Sequence, residues 1–310
     1  MLSEYAVEPA AIGADWNTFR YLIEKFGSDK GRLISRFPNK WEKKVIESAK
    51  AAGIPDVRMA SIIDRLHRTK HAIVDFNRTY NHDADWIANA VREHGIRAFR
   101  AIICREGATG SAQALAPSDC SEDHPLFNAP ISRDIPRSAA DISGALLLLA
   151  LAAREIDIVD PFFDLRAGVG DYIGPLASLF GKLARASSNP KVIRVHFRSH
   201  PSRPPAEILA RDAGARVNGI LPPGYRLELY EWSEIAGGED FHDRFFLADV
   251  GGLMIGAGLS AEASAQTATF TLLDITHAQR LRGRFASTST VYARVGRAVR
   301  FNANGSSEIF

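Results

Sequence analysis

The chain has 310 residues, and its 38 Lys and Arg nearly balance its 36 Asp and Glu, for a formal net charge of +2. Hydrophobic residues at 46% and charged residues at 24% are ordinary globular values and exclude a chain too polar to bury a core. Only Cys104 and Cys120 are present, which excludes a disulfide scaffold and a four-cysteine zinc site. The opening MLSEYAVEPA lacks the charged-then-apolar order of a signal peptide. The longest apolar run, residues 145–153, falls well short of the roughly 20 residues that cross a bilayer. A cytoplasmic protein with no transmembrane segment is the expectation. At roughly 100–200 residues per domain, two domains are expected, residues 1–135 and 136–310.

In chain order, the first part reads as mostly helical. Residues 39–52 place Trp41, Val45, Ile46 and Ala49 on one face, and Gly53 with Pro55 ends that helix. A second helix is predicted over 57–67, a strand over 71–77, a helix over 84–94 and a strand over 98–106, so that 57–106 forms a small α/β unit. Residues 107–136, rich in Gly, Ser, Pro and Asp and without periodicity, read as a linker or long loop.

The second part alternates more clearly. Residues 139–154 predict an apolar helix and EIDIVDPFF a buried strand ending at Asp160-Pro161. A helix over 172–186, the strand KVIRVHFR and a helix over 205–213 follow. Four more strands are predicted, RLELYEW, DRFFLAD, LMIGAG and ATFTLLD, and then a mainly helical segment over 276–300. This order predicts an α/β fold in which a mixed sheet lies between helices.

The neutral total hides local asymmetry. No acid lies between Asp171 and Glu207, a stretch with Lys182, Arg185, Lys191, Arg194, Arg198 and Arg203. None lies in 275–307, which holds Arg280, Arg282, Arg284, Arg294, Arg297 and Arg300. Between them come Glu228, Glu231, Glu234, Glu239 and Asp240. Two readings stand: a positive surface that attracts phosphate, or basic and acidic stretches paired across the fold.

The segment FHDRFFLADVGGLMIGAGLS carries the chemistry. His242 and Arg244, two apart at a strand start, emerge on one face. An imidazole can attack phosphorus while a guanidinium forks two phosphate oxygens. Asp249, at odd spacing from His242, either orients a partner imidazole or fixes the next turn. Gly256 and Gly258 allow close approach to a phosphate, and Ser260 can donate to it. Asp243 sits beside the pair, or merely caps the turn into the strand.

The spacing H-x-R-x4-D resembles the H-x-K-x4-D motif of the phospholipase D superfamily, with Arg244 where Lys is usual and GAGLS where a G-S-x-N-like turn is usual. IDIVDPFFD looks like the opening strand of that fold. The resemblance covers roughly residues 139–300. It implies a phospholipase D-like mixed sheet flanked by helices, and metal-independent phosphodiester chemistry on nucleic acid. In that chemistry His242 is nucleophile or general acid, Arg244 the phosphate clamp and Asp249 the orienting group. The family's site joins two motifs, and one is present here, so the resemblance implies a homodimer or a place in a larger complex. At its widest, the likeness to bacterial members implies a role in defence against mobile DNA. The alternative is a catalytically inactive module of the same type that binds nucleic acid, anionic lipid or a protein partner.

His196, Arg198 and His200 alternate onto one face of their strand and form a candidate phosphate-reading edge beside His242. Asp160 is either a site carboxylate at a strand end or an Asp-Pro turn. His82, Asp83, Asp85, Glu93 and His94 have no recognised metal-ligand spacing and read as a solvated helix start. Cys104, Trp41 and Trp86 read as core. No phosphate-binding P-loop is present, and no cofactor or metal is expected.

Overall fold

The computed structural model describes residues 1–105, 111–186, 191–262 and 265–310. The chain divides into two compact units, Met1–Ile131 and Ser132–Phe310.

The first unit runs β1 (Ser3–Val7), α1 (Pro9–Gly13), α2 (Trp16–Ile23), β2 (Arg32–Ser35), α3 (Trp41–Ala51), α4 (Asp56–Arg68), β3 (Ile73–Val74), α5 (Trp86–Ile96), β4 (Ile102–Ile103) and β5 (Ala114–Leu115). Its strands form one sheet in the order β3-β2-β1-β4-β5, with every pair parallel. The expectation of a mostly helical start is corrected: β1 is the central strand. Alternation sends Tyr5 and Val7 into a core with Phe19, Trp41 and Ile62, and Ala6 to the other face with Phe37, Ala90 and Phe99. Glu4 hides this strand from a pattern reading. Its buried carboxylate accepts from Arg78 Nε at 3.0 Å, Arg78 Nη2 at 2.8 Å and Ser35 Oγ at 2.8 Å, so a charge sits where alternation expects an apolar side chain.

The expected linker is also corrected. Part of it, residues 107–110, lies outside the described residues, but β5 and a 3₁₀ turn over Pro117–Asp119 follow. Cys120 and Phe127 then enter the first core. Strands of two residues have no period to read.

The second unit runs β6 (Ser132–Pro136), α6 (Ala139–Ala152), β7 (Glu155–Val159), α7 (Ile173–Ala186), β8 (Val192–Arg198), α8 (Ala206–Val217), β9 (Arg226–Glu234), β10 (Phe245–Ala248), β11 (Gly251–Ile255), β12 (Thr267–Leu273), α9 (Ile275–Gly283), β13 (Tyr292–Asn302) and β14 (Ser307–Ile309). One mixed sheet has the order β14-β13-β9-β8-β7-β10-β11-β12-β6. The pairs β7–β8 and β8–β9 are parallel and the others antiparallel. The fold is therefore α/β. Strand β7 lies at the centre with Ile156, Ile158 and Val159 buried, and Asp157 between them is buried as well. The unit starts at Ser132 because β6 pairs with β12.

The helix expected over 276–300 stops at Gly283, and residues 292–302 form β13 against β9. A register shift between Val295 and Val299 breaks the period-2 alternation that would have marked a strand. Among the described residues, no helix is long and apolar enough to cross a membrane.

Candidate functional site

The parallel strands β7, β8 and β9 end on the same edge of the sheet at which antiparallel β10 begins. Asp160 ends β7, Arg198 ends β8, Glu234 ends β9, and His242 to Arg244 lead into β10. Carboxyl ends of strands are where open α/β sheets place ligands.

Asp160 is fully buried. Its carboxylate accepts from Phe162 N at 3.0 Å and Leu259 N at 3.4 Å, and Arg244 Nε lies 3.6 Å away. Burial pushes the carboxyl above its ordinary range, against the pull of those N–H groups and of Arg244. Gly258, at φ 78°, passes so close that a Cβ there would stand 2.5 Å from Asp160 Oδ2 and 2.9 Å from Arg244 Cδ.

Arg244 donates from Nη1 to Gly256 O at 3.0 Å, and its guanidinium lies 4.9 Å over the Phe162 ring. Arg198 lies 5.4 Å from the same ring. Thus Phe162, 48% exposed, gathers two cations from two strand ends. Arg198 Nη1 reaches Glu234 Oε1 at 3.4 Å, and that oxygen also accepts from Phe241 N at 2.8 Å. His242 stands at the rim with its side chain 69% exposed and Nε2 3.3 Å from Asp243 Oδ1.

Of the sequence-expected residues, the structure gathers Arg244, Gly256, Gly258 and Arg198 here, with His242 and Asp243 beside them. Ser260 follows; it is buried, and its carbonyl accepts from Arg137 Nε and Nη2 at 3.3 and 3.0 Å. Asp249 is elsewhere. It sits at the far end of β10, where Oδ1 accepts from Arg154 N at 2.9 Å and Glu155 N at 3.4 Å. These contacts tie it to the turn between α6 and β7, and antiparallel β10 runs away from the His242 edge.

His200 lies beyond β8 and holds Ser202 Oγ at 2.8 Å. His196 turns inward. Its Nδ1 accepts from Trp232 Nε1 at 3.1 Å, its Nε2 meets Asp157 Oδ1 at 3.1 Å, and its ring stacks on Tyr230 and Phe285. The three-residue edge read from alternation therefore reduces to Arg198. Phe162 is the residue that pattern reading missed; an aromatic directly after an Asp-Pro strand end was the available signal. Asp85 caps α5 through Ala88 N, and Cys104 is core, its thiol pushed up by burial.

The acid-free stretches are partly spent in pairing, with acidic β9 between β8 and β13 and with the acids of β7. Arg300 meets Glu228 at 2.8 Å, Arg284 meets Glu239, and Arg194 and Arg282 meet Asp157 at 2.7 Å each. Lys191 donates to the carbonyls of Leu151 and Ala153, and Arg203 lies 3.6 Å from Asp164. The broad positive surface admitted by the sequence is thus partly offset by ion pairs, while Lys182, Arg185, Arg280, Arg294 and Arg297 meet no Asp or Glu carboxylate among the described residues.

No protein-family model matches the sequence, and no curated protein matches it. Among solved structures, TrmBL2, an archaeal chromatin protein described as showing a novel mode of DNA binding, matches 80% of this chain and 87% of its own. Identity is 12% and the TM-score 0.29, a likeness too slight to bear on fold or function.

Proposed function

We propose that Ser132–Phe310 is a phospholipase D-like domain whose sheet edge binds a phosphodiester of nucleic acid between Arg198 and Arg244, with His242 at the rim. The observation that carries this reading is the placement of both guanidiniums against the single Phe162 ring, which brings two cationic forks from different strand ends to one aromatic side chain. One chain binds without cleaving. Attack by His242 on phosphorus forms a P–N bond and breaks a P–O bond, and the departing alkoxide needs a proton from a second imidazole. Of the other two histidines near this edge, His196 is buried with both ring nitrogens engaged, and His200 lies beyond the end of β8 with its Nδ1 on Ser202 and no contact to His242 among the described residues.

The second reading is a metal-independent nuclease formed by two chains. It is favoured by the exposure of His242, which leaves the imidazole open to a second copy. A cleavage assay in EDTA on single- and double-stranded DNA and RNA, run across protein concentration, separates the two. Binding that is lost in Arg244→Ala, with no cleavage at any concentration, is the result expected of the binding reading. Cleavage that rises faster than linearly with protein and vanishes in His242→Ala establishes the two-chain nuclease. Neither binding nor cleavage removes both readings.

A further inference from the structure

A cavity of about 510 Å³ opens on the α9 side of the second sheet, lined by β7, β8, β9, β13 and the segment after α9. None of its lining residues belongs to the Arg244 edge. Its volume falls within the roughly 300–1,000 Å³ of small-molecule sites.

Its charged wall is held in place by two carboxylates. Asp157 accepts from Arg194 Nε through Oδ1 and from Arg282 Nε through Oδ2, both at 2.7 Å. Glu155 Oε2 accepts from Nη2 of the same two arginines, at 2.8 and 2.6 Å. Each guanidinium thus spends one edge on the carboxylates, leaving its Nη1 without a partner among the described residues. Arg294 contributes a third guanidinium, 5.2 Å over the Tyr230 ring. Tyr230, Trp232 and Phe285 supply the aromatic wall, with Tyr230 and Phe285 both stacked on His196.

Among the lining residues, the charged groups that remain open are donors. Both Asp157 oxygens are filled, and His196 has one nitrogen on Asp157 and the other on Trp232. Such a surface favours an anionic acceptor over a cation or a neutral donor. Phe285 is closed off between His196 and Tyr292, so the ring a flat ligand can meet is Tyr230, on the side that Arg294 now covers. Arg294, exposed and attached to a strand, can then cover the ligand's ring from the open side.

We propose that this cavity is a nucleotide site: it takes a planar base between Tyr230 and Arg294 and a phosphate on Arg194 and Arg282. The ligand chemistry is shared by a free mononucleotide and by the phosphorylated end of a strand. The site does not depend on the reading of the Arg244 edge.

Calorimetric titration tests it with adenosine 5′-monophosphate, adenosine, inorganic phosphate and a 5′-phosphorylated oligonucleotide, each to about 1 mM. The monophosphate is expected to bind at least about tenfold more tightly than adenosine or phosphate alone, since each of these meets half of the site. Arg294→Ala, at an exposed position, is expected to weaken it about tenfold or more, and Tyr230→Leu likewise. Arg244→Ala is expected to leave it unchanged. Oligonucleotide binding that needs Arg294 and exceeds the monophosphate's identifies a strand end as the source; the reverse order identifies the free nucleotide. No heat with any phosphorylated probe, or binding insensitive to both Arg294→Ala and Tyr230→Leu, overturns the proposal. So does binding removed by Arg244→Ala alone.

Discussion

A side-chain carbon at residue 258 would stand 2.5 Å from Asp160 Oδ2, on a backbone whose φ of 78° already disfavours L side chains. Gly237 shares that backbone, at φ 76°, but nothing lies within 4 Å of the position its Cβ would take. Gly237→Ala is therefore expected to cost about 1 kcal/mol from the backbone alone. Gly258→Ala should cost at least about 1 kcal/mol more, since Asp160 and Arg244 must also move. Urea denaturation of both variants checks the difference. At residue 196, the Trp232 N–H can only donate, so His196 Nδ1 accepts and the imidazole is neutral. Burial holds its pKa below the ordinary 6.5, with the Asp157 contact opposing. Asp157 stays ionised: burial would raise its carboxyl, but its hydrogen bonds to His196 and Arg194 outweigh that and hold it well below the carboxylate range. In the unfolded chain His196 takes up a proton near pH 6.5, and in the folded chain only at lower pH. Its contribution to stability is thus present above 6.5 and lost as pH falls below it, at up to about 1.4 kcal/mol per pH unit. Stability curves from pH 7.5 to 5 should be shallower for His196→Gln than for the wild type; equal slopes would show that His196 titrates normally.

At the scale of elements, strand β9 explains the charge pattern. Glu228, buried on β9, accepts from Arg300 Nε on β13 at 2.8 Å and from the Tyr230 hydroxyl at 2.7 Å. Glu228→Ala leaves both donors short of an acceptor and is expected to lower stability by about 1–3 kcal/mol, read from the urea midpoint. The alternation of basic, acidic and basic segments was visible in the sequence, and both of its readings were available there. How far pairing held depended on β9 lying between its basic neighbours, a fact of topology. Strands β7 to β12 were legible because alternating or short apolar segments between turn residues mark them. Strand β13 was not, because its bulge breaks alternation, and neither was β1, because Glu4 is neutralised by Arg78, far along the chain. The candidate site was legible in the same uneven way. His242, Arg244 and Gly258 stood in one motif, whereas Asp249 could be assigned only once β10 was seen to carry it away from them. Arg198 and Phe162 join the site from two other strand ends, which no local pattern connects.

At the scale of the whole molecule, two α/β units share a chain of net charge +2, and several basic residues of the second are paired with its own acids. A polyanion engages few cations at the proposed edge, chiefly Arg198 and Arg244. Each neutralised phosphate contributes about −0.9 to the slope of log K against log salt on duplex DNA, so two give about −2. The most direct test of the central claim is this slope, measured by fluorescence anisotropy on a labelled duplex for the wild type and for Arg244→Ala. The account predicts a slope of about −2 for the wild type, with a shallower slope and at least about tenfold weaker binding in the variant. A slope near −5 or steeper, or affinity unchanged by Arg244→Ala, would contradict it and place nucleic-acid binding on another surface.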